Sequence, residues 1–198
     1  MEHKYSLAYL TVKGCSPPQM AYMAAKAGYD YISLRPIPMG DPGEIAYLSD
    51  DKKMINKTKA VLKETCIKVL DLELARIVDY VDPQSYLPAM EVMAELGAKH
   101  VISSAWTADR DNRSFIVDRF AEICDLADRF GLTVNLEFPT FSRLINLQEA
   151  ADIVRAADRS NGGILIDTLY LHYSKVAPEE LQALPSEWFN FMHICDVP

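Results

Sequence analysis

Several features that would place the chain in a particular class of protein are missing from its sequence. It contains no apolar run of about 18 residues, the length needed to span a bilayer. Its first fifteen residues interleave charged side chains with apolar ones, which is not the pattern of a signal peptide. Basic residues are in deficit, because 20 of them face 28 acidic residues and leave a net charge of -8. We therefore expect neither a membrane nor a nucleic acid as a partner.

Cysteine is scarce, and its positions are scattered. The chain has four, Cys15, Cys66, Cys124 and Cys195, and they form no CxxC pair. This spacing indicates neither a zinc knuckle nor a disulfide framework. We therefore expect reduced thiols in a cytoplasmic protein.

What the sequence does contain is a regular alternation of strand and helix patterns. With 198 residues, 49% of them hydrophobic, the chain is large enough to bury the core of one domain, and no linker interrupts it. The patterns predict six helices, at 16–27, 49–65, 82–96, 113–130, 147–157 and 178–184. They predict seven strands, at 5–12, 29–34, 68–74, 100–104, 132–137, 163–167 and 191–198. Such alternation favours a parallel sheet covered by helices.

Two parallel architectures fit this alternation, an open doubly wound sheet and a closed barrel. An open sheet usually has a glycine-rich, phosphate-binding turn after its first strand. Here that turn contains only Gly14, and neither GxGxxG nor GxxxxGK[ST] occurs in the chain. The sequence therefore predicts one α/β domain over residues 1–198 with the (β/α)8 TIM barrel fold. Because such barrels have about 250 residues, we expect the last βα unit to be missing and the domain to be incomplete at its C-terminus.

Three of the predicted strands end in a residue that commonly binds metals. Glu137 ends the fifth strand, Asp167 ends the sixth, and His193 lies at the exit of the seventh. The carboxyl ends of all strands of a parallel barrel face the same way, so these side chains can converge on one ion. Two carboxylates and an imidazole suit Mn²⁺, Mg²⁺, Co²⁺, Fe²⁺ or Zn²⁺. For any one of the three alone, the alternative is an ordinary polar residue at the edge of a loop.

These residues give the chain a resemblance to a known family, the xylose isomerase-like TIM barrels. The resemblance rests on Glu137, on the Ile-Asp-Thr run around Asp167, and on the His-x-Cys-Asp-x-Pro run from His193. Leu34-Arg35 and Asp71-Leu-Glu73 also fall where family members carry similar residues. The family includes sugar and sugar-phosphate isomerases and epimerases, inosose dehydratases and isomerases, and metal-dependent abasic-site endonucleases.

The resemblance implies a metal-dependent isomerase or epimerase of a sugar or related polyol carbonyl compound. Glu137, Asp167 and His193 would be its metal ligands, with Mn²⁺, Mg²⁺, Co²⁺ or Zn²⁺ as the cofactor. Glu137 would also be catalytic, transferring a proton next to the carbonyl through an enediolate. Family isomerases have a second glutamate at the end of strand eight, and this sequence has no such residue.

Five more residues are candidates for substrate binding, namely Arg35, Glu73, Trp106, His172 and Asp196. Arg35 is suited to holding a hydroxyl, carboxylate or phosphate, and the alternative is that it neutralises nearby acidic groups. Glu73 and Asp71 are two residues apart on a strand and therefore point to the same side, either as paired interior groups or in an outward salt bridge. Trp106 would form an apolar wall against a sugar ring, unless it belongs to the core.

The histidine that family members often place three residues after the strand-six aspartate is replaced here by Tyr170. The nearest histidine is His172, which either reaches the site from a shifted turn or faces solvent, and the third alternative is that Tyr170 itself takes the place of the family's histidine. Asp196, three residues after His193, is expected to orient a ligand or to contact substrate.

Other functions fit parts of this pattern. A dehydratase acting on a cyclitol ketone needs the same metal and the same base. An abasic-site endonuclease uses additional histidines, whereas this chain has four in all and an acidic balance. A barrel lacking its eighth unit would instead be a non-catalytic binding protein. Its open edge strands also lead us to expect a homo-oligomer.

Overall fold

Strands and helices alternate along the chain in the computed structural model, which describes residues 3–40, 50–108 and 112–195. The strands are β1 Ser6–Leu7, β2 Tyr31–Leu34, β3 Lys68–Ile77, β4 His100–Ala105, β5 Thr133–Glu137, β6 Gly162–Ile164, β7 Ile166–Asp167 and β8 Met192–His193. The α-helices are α1 Pro17–Ala27, α2 Lys52–Thr65, α3 Leu87–Glu95, α4 Arg113–Asp128, α5 Leu147–Ala157, α6 Thr168–Ser174 and α7 Pro178–Gln182. The chain forms two compact units, described separately below. The prediction of one domain over residues 1–198 stays a prediction.

The first unit comprises Met1–Leu74 and Tyr86–His100. Its strands are parallel, with Leu7 paired to Ile32 and Ser33 paired to Asp71. Helix α1 begins where the sequence predicts, because the backbone N–H of Ser16 donates to the side chain of Gln19 at 2.8 Å in a capping box. It ends at Gly28, whose φ of 83° is the left-handed conformation that favours glycine.

The predicted first strand, at 5–12, is wrong in its second half. Strand β1 has two residues, and Tyr9–Val12 forms a 3-10 helix. The backbone leaves the extended conformation after Ala8, whose carbonyl accepts from the Thr11 N–H at 3.1 Å. The Tyr9 ring lies 3% exposed beneath the guanidinium of Arg35, so its burial stabilises the turned conformation.

The second unit comprises Ala75–Ser85 and Val101–Pro198. Strand β5 pairs in parallel with β6, and β7 pairs in parallel with β8. Helices α4 and α5 bury apolar faces with the 3.6-residue period that predicted them. The core of this unit contains the fully buried side chains of Phe120, Ile116, Ile123, Leu132 and Phe138.

The single strand predicted at 163–167 is divided in two. Residues 162–164 belong to β6 and residues 166–167 belong to β7, with Leu165 between them. The Leu165 N–H still donates to the Leu136 carbonyl at 3.1 Å, so the chain stays beside β5 while its next residues turn to pair with β8. Helix α6 was not predicted, and Asp167 is its N-cap, accepting from the Leu169 N–H at 2.8 Å.

The described residues include no helix that combines the length and apolar content of a membrane crossing. All four cysteines are free of disulfides, and only Cys124 is buried. Burial raises the pKa of the Cys124 thiol, which therefore stays protonated.

The close packing around Gly163 gives a test of this fold. A Cβ at this position would lie 2.5 Å from the Trp188 carbonyl oxygen and 3.3 Å from Oδ1 of Asn135. We expect Gly163→Ala to lower the free energy of unfolding by about 1–3 kcal/mol, because a backbone oxygen yields little space. The matched variant Gly162→Ala would bring its Cβ no closer than 3.2 Å and should cost less. Urea denaturation of both variants measures the difference, and an equal loss would contradict this packing.

Candidate metal centre

The pairing of β7 with β8 places two of the predicted metal ligands side by side. Asp167 lies opposite His193 in the parallel register of these strands. Side chains at paired positions of adjacent strands point to the same face. Nδ1 of His193 consequently lies 3.8 Å from Oδ2 of Asp167. The side chains are 22% and 6% exposed, so the site is partly closed to water.

Glu137 reaches the same point from the end of β5. Its Oε1 lies 3.8 Å from Nδ1 of His193, and its side chain is 13% exposed. One donor atom from each of Glu137, Asp167 and His193 lies within 4.8 Å of the other two. Within the described ranges, no other set of three such residues meets this criterion. The structure thus brings together the three residues selected from the sequence, and their role as metal ligands stays a prediction.

The donor set suits one divalent ion. Zinc binds imidazole nitrogen and carboxylate oxygen at about 2.0–2.2 Å, so one such ion holds any two of its donors at most about 4.4 Å apart. Both separations from His193 are 3.8 Å, within that limit. The third pair, the two carboxylates, is bounded by 4.8 Å, so an ion would draw these two side chains slightly together. Two carboxylates clustered near one imidazole also create the negative field that a cation neutralises. The side chains present therefore fit the ion that the resemblance implies.

Asp167 is held in place by hydrogen bonds at both of its oxygens. Oδ1 accepts from the Leu169 N–H at 2.8 Å, and Oδ2 accepts from Sγ of Cys195 at 3.3 Å. Cys195 is itself held by Thr168, whose hydroxyl accepts from the Cys195 N–H at 2.8 Å. Burial, together with the hydrogen bond to Asp167, raises the pKa of the Cys195 thiol to about 11. Sequence reasoning missed Cys195, although its spacing of two from His193 was a usable signal.

An aromatic cluster lies beside the three residues. The rings of Trp106 and Phe141 meet edge to face with centroids 5.7 Å apart, and those of Phe141 and Tyr170 are 6.0 Å apart. Burial, together with the charges of Glu137 and Asp167, raises the pKa of the Tyr170 hydroxyl. The Tyr170 hydroxyl therefore lies near both carboxylates, and its replacement of the family's histidine stays a prediction. Phe141, 65% exposed, was not singled out from the sequence, where nothing distinguished it from other loop aromatics.

Trp106 is fixed from two further sides. Its indole Nε1 donates to Oγ of Ser104 at 3.0 Å, and the guanidinium of Arg76 lies 5.6 Å from its ring centroid. The Trp106 side chain is partly buried and meets the exposed Phe141 ring, so both the packing role and the substrate contact stay open. Its contact with a substrate stays a prediction.

The remaining predicted site residues are His172, Asp196, Arg35 and Glu73. His172 is exposed on α6, with its ring 5.5 Å from that of Tyr173. Asp196 lies outside the described residues. Arg35 and Glu73 form an ion pair of 2.7 Å with side chains 7% and 8% exposed. Their roles in substrate binding also stay predictions.

Comparison with known proteins is consistent with this architecture. The family model described as xylose isomerase-like TIM barrel matches residues 21–198. The inosose isomerase of Bacillus velezensis is 24% identical over 200 residues, which cover 94% of this chain and 69% of the relative. The 3-dehydroshikimate dehydratase of Pseudomonas aeruginosa is 29% identical over 111 residues, covering 54% of this chain and 18% of that protein.

Solved structures share the same fold. The crystal structure of IolI protein with a bound zinc atom aligns with a TM-score of 0.78 at 22% identity, covering 97% of this chain and 72% of that one. D-allulose 3-epimerase from Methylomonas sp., in complex with D-allulose, aligns with a TM-score of 0.74 at 21% identity, with 96% and 71% covered. The predicted TIM barrel fold and the family resemblance are thereby confirmed.

The proposed ligand set predicts stabilisation by divalent ions. We expect Mn²⁺ at about 100 times its Kd to raise the free energy of unfolding by about 2.7 kcal/mol, because the ion binds only the folded chain. Glu137→Gln and His193→Ala should abolish this gain, as each removes one ligand. The control variants Glu179→Gln and His3→Ala alter exposed residues and should retain it. Differential scanning calorimetry with and without Mn²⁺ measures the effect, and equal shifts in all five proteins would refute the site.

Proposed function

Because the chain belongs to the xylose isomerase-like TIM barrel family, we propose that it is a metal-dependent isomerase or epimerase of a small polyhydroxylated carbonyl compound. The observation that carries the proposal is the meeting of Glu137, Asp167 and His193 at the ends of β5, β7 and β8. The names of the relatives, inosose isomerase and D-allulose 3-epimerase, support a sugar or cyclitol ketone as the substrate class.

Glu137, Asp167 and His193 are the residues that would hold the ion. When bound, the ion supplies Lewis-acid stabilisation of the negative charge that develops on the substrate during proton transfer. Asp167 has its orientation set by the Leu169 N–H and by the Cys195 thiol. The set of one imidazole and two carboxylates is compatible with Mn²⁺, Mg²⁺, Co²⁺ and Zn²⁺.

Glu137 is the proposed acid–base residue. As a carboxylate it removes a proton from the carbon next to the carbonyl, and as a carboxylic acid it returns a proton to the same or the neighbouring carbon. Return to the neighbouring carbon, while the hydroxyl hydrogen passes to the former carbonyl oxygen, gives an isomer. Epimerisation requires in addition a second acid that delivers a proton to the opposite face of the same carbon. Its 13% exposed side chain lies where water is largely excluded, which strengthens its electrostatic interactions.

The aromatic cluster of Trp106, Phe141 and Tyr170 orients the substrate in this proposal. One face of a sugar or cyclitol ring carries mostly C–H groups, and such a face packs well against aromatic rings. Because Tyr170 is near both Glu137 and Asp167, a ring packed on this cluster would lie within reach of the proposed base.

A second candidate reaction is dehydration of a cyclitol ketone. It requires the same removal of a proton next to the carbonyl, after which the hydroxyl group on the adjacent carbon leaves as water with the proton that Glu137 has taken up. The similarity to the 3-dehydroshikimate dehydratase of Pseudomonas aeruginosa favours this alternative. The two reactions differ in their products, since only dehydration yields a molecule lighter by one water.

Proton exchange at the substrate tests the proposed chemistry directly. In D₂O with Mn²⁺, an inosose or D-allulose should lose the proton next to its carbonyl, which ¹H NMR detects. We expect Glu137→Gln to lower kcat/KM by about 10²–10⁴, the usual contribution of a general base. With the control variant Glu179→Gln, the substrate proton should exchange at the same rate as with the unaltered chain. Exchange that is unchanged in Glu137→Gln would contradict the assignment, and mass spectrometry separates isomers from dehydrated products.

A second variant tests the aromatic cluster. Phe141→Ala removes the ring that joins Trp106 to Tyr170, and we expect KM to rise about 2- to 10-fold, because such contacts contribute about 0.5–1.5 kcal/mol. The ring is 65% exposed, so Tm should change little. Tyr173→Ala is the matched control, since it removes a 54% exposed ring that contacts His172 instead. Steady-state kinetics that show equal KM values for the two variants would count against substrate stacking.

A further inference from the structure

A buried chain of polar side chains joins β2 to β3 in the first unit. Oγ of Ser33 lies 2.5 Å from Oδ1 of Asp71 and 3.0 Å from Oε1 of Glu73. Oε2 of Glu73 accepts from Nη2 of Arg35 at 2.7 Å. Ser33 and Asp71 are each 1% exposed, and Glu73 is 6% exposed, so water contributes little to these contacts. Neither the metal centre nor the aromatic cluster includes any of these residues.

The number of hydrogens in this chain limits its protonation. A serine hydroxyl carries one hydrogen and can donate it to only one acceptor at a time. Ionised carboxylates carry none, so two ionised acids cannot both be hydrogen-bonded to Ser33. Both oxygen–oxygen distances, 2.5 Å and 3.0 Å, lie within hydrogen-bond range. One of the two carboxyl groups must therefore hold a proton and donate it to the serine oxygen.

Several observations assign that proton to Asp71 and not to Glu73. Glu73 faces the guanidinium of Arg35, which stabilises its ionised form. Asp71 has no cationic partner among the contacts described, and its Oδ2 is buried without a hydrogen bond. A buried oxygen without a partner costs much less free energy in a neutral acid than in a carboxylate. Burial, reinforced by the charge of Glu73, accordingly raises the pKa of Asp71 well above its ordinary value.

We propose that Asp71 is a neutral carboxylic acid at neutral pH and donates to Ser33, which in turn donates to Glu73. Asp71 and Ser33 then act as positioning residues, since they hold Glu73 as an ionised acceptor against Arg35. The guanidinium of Arg35 is fixed from its other side by the ring of Tyr9, at 4.7 Å. This inference is independent of the proposed function, because it depends only on the contacts of these side chains.

The surroundings of Asp71 determine how the network responds to pH. Glu73, on the same strand, is the charged group that opposes its ionisation, and Arg35, after β2, bonds to Glu73 and not to Asp71. His100 is the one residue of β4 that belongs to the first unit. Burial and the charge of Lys99 lower the pKa of His100 to about 4, so it is neutral at neutral pH. Ionisation of Asp71 would leave two carboxylates sharing one hydroxyl hydrogen. We therefore expect the Asp71–Ser33–Glu73 network to weaken as pH rises.

The sign of the stability effect follows from proton linkage. The folded chain keeps the Asp71 proton above the pKa of about 3.9 at which an unfolded aspartate loses its own. The stability contributed by this group is therefore fully present below that value and is lost as pH rises through the raised pKa. Asparagine in place of Asp71 mimics the neutral acid, since its amide donates one hydrogen to Ser33, and it does not titrate.

Infrared spectroscopy detects the proton itself. A protonated carboxyl group gives a C=O stretching band distinct from that of carboxylates. We expect the full chain at pH 7 to show this band, Asp71→Asn to lose it, and Glu73→Gln to retain it. Labelling all aspartates with ¹³C at the carboxyl carbon should shift the band, which keeps the test valid if a variant does not fold. Absence of the band, or a shift with labelled glutamate instead, would overturn the assignment.

Thermal unfolding gives an independent readout. The Tm of Asp71→Asn relative to the unaltered chain should increase between pH 5 and pH 7, because only the unaltered chain loses the contribution of a neutral Asp71. The control Asp118→Asn, at an exposed position of α4, should show a difference that does not depend on pH. Ser33→Ala removes the hydroxyl that bridges Asp71 and Glu73, and we expect it to lower the Tm at every pH tested. A Tm difference for Asp71→Asn that is constant with pH would refute the neutral acid.

Discussion

The parallel register between β7 and β8 is the constraint on which the candidate metal centre depends. It sets Asp167 opposite His193, so that their donor atoms lie 3.8 Å apart. Side chains alternate along a strand with a period of two, and a slip by one residue would turn one ligand to the other face. The division of the sixth strand at Leu165 serves this register, because it frees residues 166–167 from β5 and lets them pair with β8.

Much of the fold was predictable from local patterns in the sequence. Helix α5 has the predicted bounds of 147–157, because its apolar period is visible in the sequence, and the structure adds an Asn146 cap that accepts from the Glu149 N–H. The places of the three candidate ligands were also predictable, since each lies at the end of a run that fits a strand pattern. A parallel architecture then brings the ends of those strands to one side, which made their convergence foreseeable without knowledge of any contact.

What the sequence could not show depends on contacts between distant segments. The edge-to-face contact of Phe141 with Trp106 requires two loops to meet, and neither loop has a periodic pattern. The protonation of Asp71 depends on its contacts with Ser33 and Glu73 and on its burial, and the composition of the chain reveals none of these. The turn that shortens β1 arises from the packing of Tyr9, a tertiary contact that overrides a local preference for extended backbone.

The double role of Asp167 has a consequence for the thermodynamics of ion capture. The carboxylate that faces His193 is also the N-cap of α6, the helix that carries Tyr170. Folding therefore already fixes the side-chain rotamer of Asp167, and the binding of an ion would not have to order this side chain. The entropy of ordering this ligand is lost when the helix forms, which favours tighter binding from the same three donor atoms. A rotation of the Asp167 side chain would break its hydrogen bond to the Leu169 N–H and so destabilise the first turn of α6, which carries Tyr170 of the aromatic cluster.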